Sequence, residues 1–178
     1  MRVLMVSDVY FPRVNGVSSS IESFRCQLAV HGIEVRLVVP RYGDEAEEDG
    51  VVRVPGRALP GDPEDRLVGW RAMCRAVDAA AEGCDLIHIQ TPFTAHYAGI
   101  KVARQRGLPV IATYHTLFEE MLPGYIPFLP EGFLKWVARE VSRRQGNGVD
   151  ALIVPSTAMQ ARLRSEERRV GKECRSRW

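Results

Sequence analysis

The first seventeen residues constrain the fold of this chain more than any other stretch. An unbroken apolar run, Val3–Val6, leads into a polar loop that ends at Asn15 and Gly16, and apolar residues then recur at helical spacing from Val17 onward. A short run that is apolar at every position is typical of a strand buried on both faces, as at the centre of a parallel sheet. The chain therefore begins with a strand–loop–helix unit.

The rest of the chain repeats this alternation of apolar runs and helical spacing. Buried strands separated by helices indicate right-handed crossovers between parallel strands. We therefore predict an α/β fold, a doubly wound, Rossmann-like parallel sheet with helices on both faces and strand order 3-2-1-4-5-6. The predicted strands after the first are Glu34–Val39, Val51–Val54, Asp85–Ile89, Pro109–Thr113 and Asp150–Ser156. The predicted helices cover residues 17–29, 64–82, 95–106 and 131–145, and residues 56–63 are interpreted as a connector.

Three loops of the predicted sheet meet at one edge. Ligands of open parallel sheets bind outside the carboxyl ends of the strands, where the strand order reverses. In this chain, the loops predicted to lie at the reversal of the strand order are residues 8–16, 90–93 and 114–120. Gly16 stands directly before a helix, where a phosphate can reach the first free backbone N–H groups. The alternative is that Asn15 and Gly16 only form a turn with a positive φ angle.

The positive charge of the chain is concentrated at its end. The chain has 24 basic and 22 acidic side chains. Residues 162–178 contain seven of the basic and three of the acidic ones, which leaves 17 basic and 19 acidic side chains in the first 161 residues. A mildly acidic body lacks the basic patch that nucleic acids require, so we expect no nucleic-acid partner. A composition of 46% hydrophobic and 26% charged residues is typical of a folded protein.

The cysteines and the first residues indicate a cytoplasmic protein. Cys26, Cys74, Cys84 and Cys174 form no close pair, which argues against a zinc site and against a disulfide framework. The start of the chain lacks the basic leader and apolar core of a signal peptide, and no apolar run approaches the roughly 18 residues of a membrane span.

Four short motifs follow the predicted strands in order. They are Asp8–Val17 after the first strand, His88–Pro92 at the fourth, Tyr114–Thr116 after the fifth and Val154–Ser156 at the sixth. Together they resemble the amino-terminal domain of retaining family-four glycosyltransferases of the GT-B fold. The likeness covers residues 1–163 and is greatest to the branch that transfers mannose, glucose or sulfoquinovose, often to a lipid.

This resemblance implies a set of roles for the loop residues. Asn15 and Gly16 are implied to lie against the diphosphate of a nucleotide sugar, UDP- or GDP-hexose, which is a co-substrate rather than a cofactor. His115 is implied to be the catalytic residue beside the reacting sugar. No metal is implied, because helix N-termini and basic side chains stabilise the leaving diphosphate. The residues expected to bind a hydroxyl acceptor, a lipid among the candidates, are Asp8, Gln90, Thr91, Tyr114 and Thr116.

Several of these residues have a second interpretation that the sequence leaves open. Asp8 could instead satisfy backbone N–H groups of its own loop, and Thr91 before Pro92 could simply turn the chain. His115 could be an ordinary polar cap at the end of a strand. His88 is expected in the core or the cleft wall and His96 on a helix surface, and neither has neighbours at metal-ligand spacing.

The resemblance also implies a domain division. Residues 1–163 are expected to form the acceptor-side domain, and residues 164–178 a charged tail that is non-native or disordered. The carboxyl-terminal donor-binding domain of the family has no counterpart in this chain, so we expect the chain alone to be inactive. The sequence does not indicate the oligomeric state.

The helix predicted over residues 131–145 has two interpretations. Phe133, Leu134, Val137, Ala138 and Val141 are predicted to be buried, and the basic residues on another face to be solvated. Alternatively, the aromatic residues of this region, Trp136 among them, contact a membrane whose anionic head groups meet the cations.

Two other functions share this fold class. A nicotinamide-dependent oxidoreductase requires a Gly-x-Gly-x-x-Gly turn and an acidic residue after the second strand, but this chain has a loop with one glycine and then Val39-Pro40. A non-catalytic binding domain with a transferase-like fold remains as the second hypothesis. We expect the gene sequence beyond residue 163 to discriminate it from the enzyme.

Overall fold

The computed structural model describes residues 1–59, 62–115, 131–154, 156–157 and 160–161. The described part of the chain contains seven strands in one sheet, in the order β4-β3-β2-β1-β5-β6-β7. All neighbours are parallel except β3 and β4. The strands are β1 Arg2–Val6, β2 Glu34–Arg41, β3 Val51–Leu59, β4 Asp62–Val68, β5 Leu86–Ile89, β6 Val110–Thr113 and β7 Ala151–Ile153. The helices are α1 Gly16–Val30, α2 Trp70–Ala80, α3 Thr94–Arg106 and α4 Glu131–Gly146.

The predicted Rossmann-like fold and the order of its six parallel strands are confirmed. The strand order reverses between β1 and β5, where Val6 pairs with Ile89, and the exit of β6 lies one strand further along. The carboxyl ends of β1, β5 and β6 therefore lie side by side at one edge of the sheet, as the alternation of strands and helices predicts.

The core is divided between the two faces of the sheet. Alternate residues of each strand point to opposite faces, so Leu4 and Val6 pack towards α2 and α3 while Val3 and Met5 pack with Ile21 of α1. Burial of both sets explains why the central strands are apolar at every position. Helices thus cover both faces, and the loops at the strand ends are left at the edges.

The prediction for residues 56–82 is wrong in its first half. The stretch after β3 does not connect directly to a helix, because β3 continues to Leu59 and β4 pairs with it in the antiparallel direction. Leu67, which fits a helical pattern by spacing alone, lies in β4 with 52% of its surface exposed, and α2 begins only at Trp70. Periodicity fails here because an edge strand needs to bury only part of one face.

The prediction for the buried face of α4 is partly wrong. Leu134 and Ala138 are buried, at 3% and 1% exposure, but Phe133 is 51% exposed and its ring stacks against that of Trp136, with centroids 6.1 Å apart. Trp136 is 61% exposed. The two rings form an apolar surface rather than part of the core.

Candidate functional site

Hydrogen bonds join the exits of β1, β5 and β6. The backbone N–H of Asp8 donates to Oγ1 of Thr91 over 2.7 Å, and the Thr91 hydroxyl donates to the Asp8 carboxylate over 2.8 Å. One residue earlier, Oε1 of Gln90 lies 2.9 Å from Nε2 of His115. The structure therefore brings four of the predicted site residues together as one connected edge.

The Asp8 carboxylate caps the N-terminus of α3. Both of its oxygens accept from the backbone N–H of Ala95, at 3.0 and 3.1 Å, and the N-cap residue Phe93 supplies no side-chain cap of its own. Asp8 thus satisfies backbone N–H groups of a different segment, not of its own loop. A carboxylate here stabilises the first turn of α3 and ties it to β1.

Burial raises the pKa of Asp8 to about 6, although the hydrogen bonds from Thr91 and the start of α3 act in the opposite direction. We expect Asp8→Ala to lower the free energy of unfolding by about 2 kcal/mol at pH 7, because it leaves buried donors unpaired. Asp8→Asn keeps an acceptor for Ala95 and should stay within about 1 kcal/mol of the parent. Urea unfolding of the chain measures both; equal losses in the two variants would rule out the capping role.

The same pKa predicts a pH dependence with a definite sign. Between about pH 4 and pH 6, Asp8 binds more protons in the folded than in the unfolded chain, so it favours folding increasingly as the pH falls. The parent should therefore gain stability relative to Asp8→Asn on acidification from pH 7 to pH 5.

Gln90 is the link between two histidines. It is 1% exposed, and its Nε2 lies 3.2 Å from Nδ1 of His88, whose Nε2 is 2.7 Å from the Thr113 hydroxyl. The Gln90 amide nitrogen also lies 3.1 Å from Nε2 of His88, so these contacts do not fix the His88 tautomer. The Gln90 amide oxygen can only accept, and His115 therefore donates to it from Nε2. In this arrangement Nδ1 of His115 keeps its lone pair.

Burial favours the neutral form of both histidines in this chain of hydrogen bonds. Burial and the neighbouring His115 lower the pKa of His88 to about 4, and burial also lowers the pKa of His115. His88 is 2% exposed, which confirms its predicted place in the core or cleft wall. His115 is half-buried. A neutral imidazole held through Nε2 can accept a hydrogen bond from a hydroxyl group at Nδ1.

The N-terminus of α1 is open at Gly16. The side chain of Asn15 caps the helix by accepting from the backbone N–H of Ser18 over 2.9 Å. Among the described residues, the backbone N–H groups of Gly16 and Val17 have no hydrogen-bond partner, as is usual in a first helical turn. Gly16 does not have a positive φ angle, so the interpretation of Asn15 and Gly16 as a left-handed turn is wrong. A Cβ added to Gly16 would meet nothing within 4 Å.

The loop before Gly16 is held in place by the strand that sequence reasoning missed. The guanidinium of Arg13 forms ion pairs with three carboxylates of β4, at 3.5 Å from Asp62 and 2.9 Å from Asp65, and with Glu64. The Ser18 hydroxyl donates to the carbonyl of Arg13 over 2.7 Å and is buried, so it is not directed to a ligand. The signal for β4 in the sequence is Pro60-Gly61, a dipeptide typical of turns.

The remaining predicted acceptor residues are Tyr114, Thr91 and Thr116. Tyr114 is half-buried and its hydroxyl lies 3.0 Å from that of Ser142, so it links the exit of β6 to α4. Thr91 is 6% exposed, and its hydroxyl donates to the Asp8 carboxylate. Thr116 lies outside the described residues.

The prediction of His96 as a surface residue is wrong. It is 3% exposed, and its Nε2 is buried without a hydrogen-bond partner in the part of the chain that the structure describes. It lines a small cavity of about 40 Å³ together with Thr113 and Gln145. His96 lies on the buried side of α3, together with Ala95 and Gly99.

Burial lowers the pKa of His96 to about 4. The unfolded chain therefore binds more protons at this residue between about pH 6.5 and pH 4, and stability is lost as the pH falls through this window. We expect His96→Phe to remove about 2 kcal/mol of the destabilisation seen between pH 8 and pH 5. Urea unfolding at the two pH values tests this; an unchanged difference would show that His96 does not titrate with folding.

No group of three or more His, Cys, Asp or Glu side chains that could hold a metal ion occurs among the described residues. In the same part of the chain, no helix is long and apolar enough to cross a bilayer.

A family model described as Glycosyltransferase Family 4 matches residues 14–170 of the sequence. The chain belongs to this family. The predicted resemblance is thereby confirmed, and family membership decides against the oxidoreductase hypothesis.

Two solved structures resemble the fold of this chain. Anabaena HepE in complex with UDP-glucose has a TM-score of 0.59 at 14% identity, and the match covers 93% of this chain and 40% of the HepE chain. A UDP-GlcNAc 2-epimerase from Methanocaldococcus jannaschii has a TM-score of 0.55 at 12% identity, over 93% and 42% of the two chains. Both support the Rossmann-like fold.

By their names, the curated relatives of this family-four chain include a monoglucosyldiacylglycerol synthase and a mannosyltransferase. The chain is 30% identical to an alpha-monoglucosyldiacylglycerol synthase of Streptococcus pneumoniae, over 97% of its own length and 39% of the relative. It is 32% identical to a GDP-mannose-dependent alpha-mannosyltransferase of Mycobacterium tuberculosis, over 89% and 42%. The chain thus spans about two fifths of the length of these relatives.

Proposed function

We propose that this family-four chain is the acceptor-side half of a retaining, metal-independent hexosyltransferase that uses UDP- or GDP-hexose. The observation that carries the proposal is the hydrogen-bonded edge formed by the exits of β1, β5 and β6. Near this edge, the first turn of α1 presents unpaired backbone N–H groups at Gly16, and His115 presents a neutral imidazole. The backbone N–H groups suit a diphosphate, and the imidazole suits a hydroxyl.

Each group acts on a different part of the reaction. When the bond between the anomeric carbon and the diphosphate breaks, negative charge develops on the diphosphate. The N–H groups of Gly16 and Val17 and the positive end of the α1 dipole stabilise that charge, which leaves no requirement for a metal ion. Nδ1 of His115 accepts a hydrogen bond from a hydroxyl of the sugar or of the acceptor and so fixes its position.

We infer that a second domain binds the nucleotide, since the relatives are more than twice as long as this chain. The chain alone is then inactive. Sequencing the gene beyond codon 163 and expressing both the continued protein and this chain tests the inference. Release of UDP or GDP from the nucleotide sugar in the presence of acceptor is expected only from the continued protein.

The alternative is a binding domain without catalytic activity. The relatives' names favour the enzyme, because they describe a synthase and a mannosyltransferase whose sequences match 97% and 89% of this chain. If the reading frame ends at Trp178 and the chain alone binds a nucleotide sugar without turning it over, the alternative replaces the enzyme.

We further propose that the acceptor is a lipid and that α4 contacts an anionic membrane at its inner, cytoplasmic face. Phe133 and Trp136 are stacked and exposed on α4, where they can insert among lipid head groups. The basic residues of the same helix include Arg143 and Arg144, although Glu140 pairs with both, at 2.6 and 2.8 Å. The two rings therefore carry more of the proposed contact than the cations.

Flotation of the chain with lipid vesicles tests this contact. The parent should float with vesicles that contain anionic lipid, and the double variant Phe133→Ser, Trp136→Ser should lose at least 80% of the bound fraction. Trp70→Ser serves as the control, because Trp70 is 45% exposed on α2. Equal flotation of all three proteins would contradict the membrane contact.

A further inference from the structure

Arg13 lies near the end of the loop that joins β1 to α1, and its backbone is fixed on both sides. Its N–H donates to the carbonyl of Tyr10 over 3.1 Å, and its carbonyl accepts from the Ser18 hydroxyl over 2.7 Å. Tyr10 is 2% exposed, and Ser18 is fully buried. The backbone of Arg13 is therefore tied to the core on one side and to the first turn of α1 on the other.

The side chain of Arg13 extends to β4. Its guanidinium pairs with Asp62 and Asp65, at 3.5 and 2.9 Å, and with Glu64. These three carboxylates lie close together at the start of one strand, so they would repel one another without a cation between them. A network of several charges holds its members more firmly than an isolated surface pair does. The ion pairs therefore fix the side chain of Arg13 against β4.

A second guanidinium holds the same loop on the amino-terminal side of Arg13. Nη1 of Arg53, in β3, donates to the carbonyl of Phe11 over 2.8 Å. The guanidinium carbon of Arg53 also lies 5.7 Å from the centre of the Tyr10 ring. The antiparallel pair of β3 and β4 thus contacts the loop through two arginines.

These contacts fix the direction of the first backbone N–H groups of α1. Arg13 is separated by one residue from the N-cap residue Asn15, and Ser18 lies in the first turn. The N–H groups of Gly16 and Val17 lie between these fixed points. Donors that are oriented before a ligand binds require little reorganisation when charge develops on that ligand, and this is the condition for strong electrostatic stabilisation.

We propose that Arg13 is a positioning residue for the donor: its ion pairs with β4 orient the N–H groups of Gly16 and Val17 towards the diphosphate. The inference rests on the proposed function, in which these groups stabilise the leaving diphosphate. Arg13 acts through α1 and does not contact the donor, since its guanidinium is paired with the carboxylates of β4.

The first test is ¹⁵N relaxation of the 178-residue chain without donor. The parent should show order parameters of about 0.85 at Gly16 and Val17, and Arg13→Met should lower them to about 0.6 or less. Arg13→Lys keeps a cation for β4 and should remain closer to the parent than to Arg13→Met. Unchanged order parameters in Arg13→Met would overturn the inference.

Arg106→Met is the matched control. Arg106 also pairs with two carboxylates, at 2.7 and 2.9 Å, and its side chain is 29% exposed, close to the 22% of Arg13. It ends α3, at the opposite edge of the sheet from Gly16. Urea unfolding should therefore show similar, small losses of stability in the two methionine variants, while only Arg13→Met makes the first turn of α1 mobile.

The second test is steady-state kinetics of the continued protein with the donor varied. Arg13→Met should weaken the affinity for the nucleotide sugar about fivefold and lower the rate at saturating donor about tenfold or more, because the N–H groups act mainly on charge that develops as the bond breaks. Arg106→Met should change both by less than about twofold. The double variant Asp62→Asn, Asp65→Asn should lower the rate about threefold or more, and should add little to Arg13→Met, since both changes remove the same ion pairs.

The two tests separate this inference from the proposed function. If the continued protein transfers sugar and Arg13→Met behaves like Arg106→Met, the proposed function stands and the inference fails. Mobile amides with unchanged kinetics would also overturn the inference, because Arg13 would then stabilise the loop alone. If the continued protein transfers sugar from no nucleotide sugar, the proposed function itself fails. If Arg13→Met does not fold, Arg13→Lys and the double asparagine variant replace it in both tests.

Discussion

We expect His115→Ala to lower the rate of the proposed sugar transfer by the continued protein about 100-fold or more, and to change the affinity for the nucleotide sugar less than threefold. The reason is the position of the imidazole. It is held through Nε2 by Gln90. In the proposed function, its Nδ1 accepts a hydrogen bond from a hydroxyl at the reacting centre and does not contact the nucleotide. Loss of one well-placed hydrogen-bonding group at a reacting centre costs roughly 10²–10³ in rate.

The control for this variant is His31→Ala, which removes an exposed histidine at the end of α1. It should leave the rate unchanged. Gln90→Leu should also lower the rate, because it frees the His115 ring to rotate and removes the acceptor that fixes the proton on Nε2. Steady-state kinetics with the donor varied separates rate from affinity. Equal turnover of His115→Ala and the parent would remove His115 from the reacting centre.

We expect Gly16→Val to weaken the proposed donor binding about tenfold or more, which corresponds to about 1.4 kcal/mol. Within the described part of the chain, a side chain at this position meets nothing within 4 Å and requires no unusual φ angle, so the fold should tolerate it. The loss arises because the new side chain occupies the space through which a diphosphate approaches the N–H groups of Gly16 and Val17.

Gly132→Val is the matched control, since Gly132 lies in the first turn of α4 and an added Cβ there also meets nothing within 4 Å. Both variants should unfold within about 1 kcal/mol of the parent, as expected for a helical glycine replaced in open space. Isothermal titration of the continued protein with UDP-glucose and GDP-mannose measures the affinity. Donor binding by Gly16→Val within twofold of the parent would contradict contact between α1 and the diphosphate.

The sheet and its parallel order could be predicted because the information is local and repeated. Buried strands tend to be apolar on both faces: β1 has four consecutive apolar residues, and β5 and β6 each have three apolar residues out of four. The meeting of their carboxyl ends then follows from the handedness of the crossovers, without any knowledge of side-chain contacts.

The parts that could not be predicted depend on partners distant in the sequence. The role of Asp8 as a cap becomes visible only when α3 is placed beside β1, and the ion pairs of Arg13 only when β4 is recognised as a strand. The sequence pattern predicts the wrong faces for His96 and Phe133, because spacing alone does not tell which neighbouring element covers a helix. The proposed role of Gly16 depends in addition on contact with a donor diphosphate.

A crystal structure of the continued protein with a bound nucleotide sugar tests the central claim most directly. The diphosphate should lie within 3.2 Å of the backbone nitrogen of Gly16 or Val17, with Nδ1 of His115 within hydrogen-bond reach of the sugar or acceptor, as these distances define a hydrogen bond. A donor whose diphosphate and sugar are bound far from both Gly16 and His115 would contradict the account.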